Sequence, residues 1–248
     1  MKKYLFKRVS VMILGVATLF AALAVTPTVG NASTKLRSYS NIKDASYTVN
    51  QKATVYTNGK LTHKKGTMKS FGKVVTGYYA AHITKNGKKT VYYKFETANG
   101  KTGWAWHGYF KKFTPKEKFN VAKYNTDLLN EINSLRKKNA QLPLKVDANL
   151  QSKIAVPEAN KFAKNPSNFV SQKNFQAGIL AKKLGLSLDQ ELWGAGSYLY
   201  NTNKEAATKN LQLWLKGDSF DVTWNNYEVV GISTVHSGSK YYTVFELN

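Results

Sequence analysis

Asn58-Gly59, Asn86-Gly87 and Asn99-Gly100 fall within one stretch of the chain, set among short runs rich in β-branched and aromatic residues. Asn followed by Gly accepts two successive positive φ angles at little cost, as the tightest hairpin turns require, so this stretch reads as antiparallel hairpins. The runs cover residues 47–49, 53–56, 73–75, 78–83, 90–95 and 103–106. Strands this short at this spacing predict a small β-barrel over residues 33–113.

The same region is strongly basic. Residues 33–113 hold 16 Lys and Arg against 2 Asp and Glu, a net of +14, whereas 114–248 hold 17 against 12, a net of +5. Two domains of different electrostatic character follow. The stretch between them, 114–123, is charged, contains Pro115 and has no clear period, so it reads as a linker. At the start of the chain, Lys2, Lys3, Lys7 and Arg8 precede an apolar run from Val9 to Val25, and Gly30 and Ala32 follow as small residues. These parts predict a secretory signal over residues 1–32, cleaved before Ser33; a retained anchor is the alternative, and either one puts the domains outside the cell. With no Cys among 248 residues, the exported fold rests on packing. The chain ends at Asn248 in a strand-like run with no sortase-type tail, so retention at a surface is expected to be non-covalent or absent.

In the last third, a helix starts at a polar cap around Thr202 or Asn203, carries Ala206, Ala207, Leu211, Trp214 and Leu215 at helical spacing, and stops at Gly217. Residues 227–234 and 241–247 form a hairpin about Ser237-Gly238-Ser239. Upstream, Asn125 or Thr126 caps a helix with Leu128, Leu129, Ile132 and Leu135 on one face, and Arg136-Lys137-Lys138 lies near its end, as the helix dipole prefers. Residues 165–174 read as a polar loop, 175–184 as a short helix ending at Gly185, and a strand begins at Glu191.

Two resemblances attach to these pieces. The strand Val91-Tyr92-Tyr93-Lys94, the run 100–106 (GKTGWAW) and the closing His107-Gly108-Tyr109-Phe110 resemble bacterial SH3-like wall-binding modules of the Gly-Trp and lactobacillar surface-layer-associated kinds. The run 128–151 (LLNEINSLRKKNAQLPLKVDANLQ), Glu191-Leu192-Trp193, Leu213-Trp214-Leu215 and Val230-Gly231-Ile232 resemble the bacterial CAP (SCP-like) domain, expected over 124–248. That resemblance implies Asn133 and Arg136 as fold-supporting polar residues, Leu142-Pro143-Leu144 as a turn, and Asp147 as the cap of a helix over 148–164. Pro157 in that helix removes a donor and crowds the preceding turn, which predicts a bend at Ala155 or Val156. The whole is expected to be α+β, a small SH3-like barrel followed by an α-β-α sandwich.

CAP members with a full site place two His and two Glu around a cleft that can hold a metal ion. Here His63, His82 and His107 belong to the first domain and His236 to the final hairpin; the loop expected to carry one family histidine reads 217–221 (GDSFD), and the other position falls within 168–172, which holds none. No metal or cofactor is expected. Glu191 and Asp218, with Asp221, remain as acid/base or hard-cation candidates, or as caps and loop charges, and Ser219 has no His to activate it. Trp193, Tyr198, Tyr200 and Trp224 line a groove for peptide or glycan in one reading and pack as core in the other.

In the basic module, Tyr78, Tyr79, Tyr92, Tyr93, Trp104 and Trp106 offer faces for sugar rings, although alternation on strands turns half of them inward. Excess positive charge on an exported module attracts polyanions such as wall teichoic acid. The signature also fits single-stranded nucleic acid, which a secretory signal excludes, and the membrane is met only in transit. The expectation is an exported, wall-associated binding protein whose partner is teichoic acid or peptidoglycan. A wall-active hydrolase or protease using Glu191 and Asp218, and an adhesin for sulfated host glycans, are the alternatives.

Overall fold

The computed structural model describes residues 34–171, 176–216, 227–237 and 240–248, which form two sheets joined by a short connector. The leader expected over 1–32, the loop with Asp218, Ser219, Asp221 and Trp224, and the turn tip at 238–239 lie outside the described residues.

The first sheet has seven strands: β1 (Thr34–Val49), β2 (Thr54–Tyr56), β3 (Lys64–Thr67), β4 (Val74–Lys85), β5 (Lys88–Glu96), β6 (Thr102–Trp106) and β7 (Phe110–Lys112). Their order is β3-β2-β6-β5-β4-β1-β7, antiparallel throughout. The sheet curls; β1, three residues long in the sequence reading, runs along β4 with register shifts between Leu36 and Ser38 and between Asn41 and Ala45. Such irregularities increase local twist and bend a long strand around its neighbours. Val49, Val55, Met68, Val75 and Phe95 fill one cluster; Ala81, Ile83, Tyr92 and Trp104 fill another.

The three Asn-Gly pairs have three fates. Asn86 (φ 52) and Gly87 (φ 74) are the two-residue turn between β4 and β5. Asn99-Gly100 belongs to a longer β5–β6 loop, closed by the Lys101 N–H donating to Thr97 Oγ1 at 2.9 Å, with Gly100 at φ 76. Asn58-Gly59 makes no tight hairpin, because β2 and β3 are joined through residues 57–63. Gly59 is required for packing instead: a Cβ there would lie 2.6 Å from the Tyr39 ring and 2.9 Å from Ala81.

The second unit contains α1 (Val121–Lys138), β8 (Lys145–Val146), α2 (Val156–Lys164), α3 (Pro166–Ser171), α4 (Gln176–Lys183), β9 (Gln190–Ser197), α5 (Asn203–Trp214), β10 (Val229–Ser237) and β11 (Lys240–Leu247). Its sheet runs β8-β10-β11-β9, with only β8 parallel to its neighbour. Side chains alternate across it. Leu192, Val230, Ile232, Phe245 and Leu247 pack against Tyr124, Leu128 and Ile132 of α1 and Ala206, Ala207 and Leu211 of α5. Val244 and Trp193 join Ala159, Phe162 and Phe169 of α2 and α3 on the other side.

Local details explain the element boundaries. α1 starts about one turn before the expected cap: Asn120 accepts from the Lys123 N–H at 2.9 Å, and the extra turn buries Tyr124 completely. Asn133 exchanges two hydrogen bonds with the Leu144 backbone, donating at 3.0 Å and accepting at 2.8 Å. Arg136, 1% exposed, donates from Nε to Leu142 O and from Nη2 to Tyr227 O, each at 2.8 Å. Asp147 Oδ1 accepts from the Leu150 N–H at 2.7 Å, capping the next helix.

At Pro157 that helix opens into a π-helical turn, Leu150–Ala155, and resumes as α2 with the proline in its first turn. The wider turn absorbs a residue that has no N–H and crowds the carbonyl four positions back. The expected polar loop at 165–174 begins instead with α3, because Pro166 presets the first helical φ and Phe169 stacks on Phe162 at 4.7 Å. The connector is docked to the start of α5: the Glu117 N–H donates to Asn201 O at 2.9 Å, and Glu117 Oε2 accepts from the Asn203 N–H at 2.8 Å.

Candidate functional site

Two features of the described residues carry chemistry: the basic face of the first sheet and a set of carboxylates inside the second unit. On the first sheet, alternation has sorted the aromatics. Trp104 (5% exposed) and Tyr92 (7%) are core, whereas Trp106 (39%), Tyr109 (37%) and Tyr39 (40%) remain exposed. Tyr78, Tyr79 and Tyr93 are half-buried; Tyr93 packs against Phe110 with ring centroids 5.4 Å apart. Trp106 lies over Gly108, where a Cβ would stand 2.4 Å from the indole, and meets Tyr109 edge-on at 5.1 Å. Glycine thus lets the backbone support an indole that keeps part of its surface open. Of the 16 basic residues in this module, all but Lys85 and Lys94 are exposed. Glu96, one of its two acids, pairs with Lys240 of β11 at 3.4 Å.

The carboxylates arise from three elements. β9 and β11 place Glu191 directly opposite Glu246, and α2 covers that face with Glu158. Glu158 is 1% and Glu246 0% exposed, while Glu191 is half-buried. Among the described residues one cation serves the group: Lys161, a turn along α2, donates to Glu158. Glu191 Oε1 and both oxygens of Glu246 are buried without a hydrogen-bond partner among the described residues. Burial, then the Glu158 charge, pushes the Glu191 pKa up; burial, then the charges of Glu191 and Glu158, pushes Glu246 up further. A proton on Glu246 gives Glu191 the donor it lacks and removes one of the facing charges, so the pair titrates as a unit.

Sharing of this kind belongs to the repertoire of acid/base sites, but Glu246 is sealed beneath α2 and only Glu191 approaches solvent. Among the described residues no three His, Cys, Asp or Glu side chains converge to hold a metal ion. The histidines are dispersed: His82 bonds Ser40 Oγ at 2.9 Å, His107 Nδ1 bonds Val91 O at 3.1 Å, and His236 stacks on Tyr241 at 4.8 Å.

Sequence reasoning found Glu191 but missed Glu158 and Glu246. The signals were present, as a lone acid in the apolar strand 241–247 (YYTVFEL) and an acid following Pro157 in an Ala-rich helix. Trp193 is built into the aromatic cluster, T-shaped on Phe162 at 5.5 Å. Tyr198 donates to Glu117 O at 2.7 Å and so holds the connector, and Tyr200 lies at the head of α5. Asp218 and Trp224 lie outside the described residues.

No protein-family model matches this sequence, and no curated protein matches it. Among solved structures, the chain is similar to a cysteine-rich secretory protein from Staphylococcus aureus, with 11% identity over 88% of this chain and 89% of that one and a TM-score of 0.36. It is also similar to an extracellular SCP-domain protein from Bacillus anthracis, with 11% identity over 68% and 64% and a TM-score of 0.39. A third similarity is to the hookworm platelet inhibitor, with 14% identity over 55% and 73% and a TM-score of 0.31.

Proposed function

We propose that this chain is an exported, non-catalytic binding protein that holds to anionic cell-wall polymer through a basic SH3-like module and carries a CAP-like domain without the family's metal histidines. The observation that carries the reading is the excess of positive charge on the first module, 16 basic residues against 2 acidic with 14 of the 16 exposed, beside the supported indole of Trp106. Unpaired surface charge of one sign raises the local concentration of polyanions, and an exposed aromatic face adds stacking on sugar rings. The CAP-like assignment draws on the motif order in 128–247 and on the sheet covered by helices on both faces.

The test is sedimentation of the chain starting at Ser33 with purified sacculi, beside two variants. Replacement of Lys64, Lys65, Lys88 and Lys89 by Glu changes the formal charge by eight and is expected to abolish co-sedimentation at low salt. Trp106→Ala is expected to weaken it while the circular dichroism spectrum is unchanged. Undiminished binding by both variants overturns the reading.

Glu191 favours a second reading, a wall hydrolase, because its raised pKa and partial exposure suit a general acid. Turnover of peptidoglycan fragments that disappears in Glu191→Gln, with the fold intact, would establish it in place of the first.

A further inference from the structure

A cleft of about 440 Å³ opens between the two sheets. One wall is the turn from Phe71 to Val74 and the β5–β6 loop; the other is Leu199, Tyr200 and a stripe of α5. The stripe is Glu205, Lys209, Gln212 and Leu213, at helical spacing on the side of α5 away from the buried Ala206, Ala207, Asn210 and Leu211. α5 therefore has one face in the core and a second turned to the first sheet across a gap that no side chain of the described residues fills.

The charge in this gap is one-sided. Lys73 comes from the first sheet's side, Lys209 from α5, and Lys216 from the turn just beyond it. Among the described residues Glu205 is the only acidic one lining the cleft, and its carboxylate is committed elsewhere: Oε2 accepts from the Asn201 N–H at 3.0 Å while Thr202 Oγ1 accepts from the Glu205 N–H at 3.1 Å. That reciprocal pair is a capping arrangement at the start of α5, and it holds the carboxylate at the helix end. None of the three lysines forms an ion pair among the described residues. Asn99 on one wall and Gln212 and Tyr200 on the other also line the cleft, with Gln212 Oε1 accepting from Lys209 Nζ at 3.3 Å.

We propose that this cleft binds an anionic polyol or sugar phosphate, one repeating unit in size. The ligand class rests on the chemistry of the lining: three lysines for a phosphate, amide and phenol groups for hydroxyls, and a volume within the range of small-ligand sites. Its identification as a unit of wall polymer rests on the function proposed above. The site is distinct from the exposed face around Trp106, so a polymer strand held on the first sheet can place a unit between the two domains.

The test is titration calorimetry on the chain from Ser33 with glycerol-phosphate trimer, inorganic phosphate and a neutral disaccharide. The trimer is expected to bind and the disaccharide not to. The triple variant Lys73→Ala, Lys209→Ala, Lys216→Ala is expected to weaken the trimer by about tenfold or more through loss of charge-assisted hydrogen bonds. Leu213→Trp, which fills the cleft without touching its charge, is expected to weaken it as well. Equal binding of the trimer by wild type and both variants, equal affinity for the neutral sugar, or inorganic phosphate bound as tightly as the trimer overturns the proposal. Sacculus binding that persists in the triple variant keeps the first-sheet reading independent of the cleft. Trimer bound in the cleft by a chain that ignores sacculi sustains the cleft and sinks the wall-polymer reading.

Discussion

Replacing Glu246 by Gln should stabilise the fold relative to wild type by a margin that grows as pH rises. Glu158, Glu191 and Glu246 meet on one face of the second sheet with Lys161 as their single cation among the described residues, so full ionisation leaves two uncompensated charges under α2. Both members of the facing pair have folded pKa values above the unfolded carboxylate value of about 4.3. The sign follows: their contribution is fully present below about pH 4.3 and is lost as pH rises through the folded values. Each pH unit over which the folded chain binds one more proton than the unfolded chain costs about 1.4 kcal/mol. From pH 5 to pH 8 a single retained proton therefore lowers stability by up to about 4 kcal/mol. In Glu246→Gln the amide reproduces the neutral acid and donates to Glu191, so the slope should be much shallower. Urea midpoints from pH 5 to pH 8.5 read this directly. A flat wild-type profile, or a Glu246→Gln variant that parallels wild type, refutes the reasoning.

Further outcomes can be checked by melting or urea titration. Gly231→Ala places a Cβ 2.6 Å from the Leu150 carbonyl carbon and 2.7 Å from the Gln151 nitrogen; both are backbone atoms, so a loss of about 1–3 kcal/mol is expected. Arg136→Ala orphans the carbonyls of Leu142 and Tyr227 and should cost about 3 kcal/mol or more, whereas an exposed Lys137→Ala should be nearly silent. Thr202→Ala removes the α5 cap and should cost about 1 kcal/mol, with fraying at the head of that helix seen by amide exchange.

The layered second unit was legible because its signals are local and redundant. The apolar stripe of α1, the Thr202 cap, the left-handed Gly185 and the Asp147 cap each act over one or two turns. Boundaries slipped where tertiary contacts decide: burial of Tyr124 extends α1 backwards, and the Phe162–Phe169 stack makes a helix of what reads as polar loop. Likewise Gly59 answers to the Tyr39 ring across the sheet, a contact that sequence spacing does not encode. Of the carboxylates, Glu191 stood out through its motif, but its pairing with Glu246 depends on the β9–β11 register, and Glu158 reaches them only because α2 crosses that face. The cleft was illegible, since it is formed by two units separated by the connector and lined by residues unremarkable on their own.

The central claim is that the basic sheet holds anionic wall polymer. The most direct measurement is binding of the chain from Ser33 to sacculi before and after chemical removal of teichoic acid, from about 50 mM to about 500 mM salt. Binding should be strong on intact sacculi, fall steeply with salt as exposed charges are screened, and vanish on the stripped wall. Equal binding to stripped and intact sacculi, or binding indifferent to salt, would contradict it.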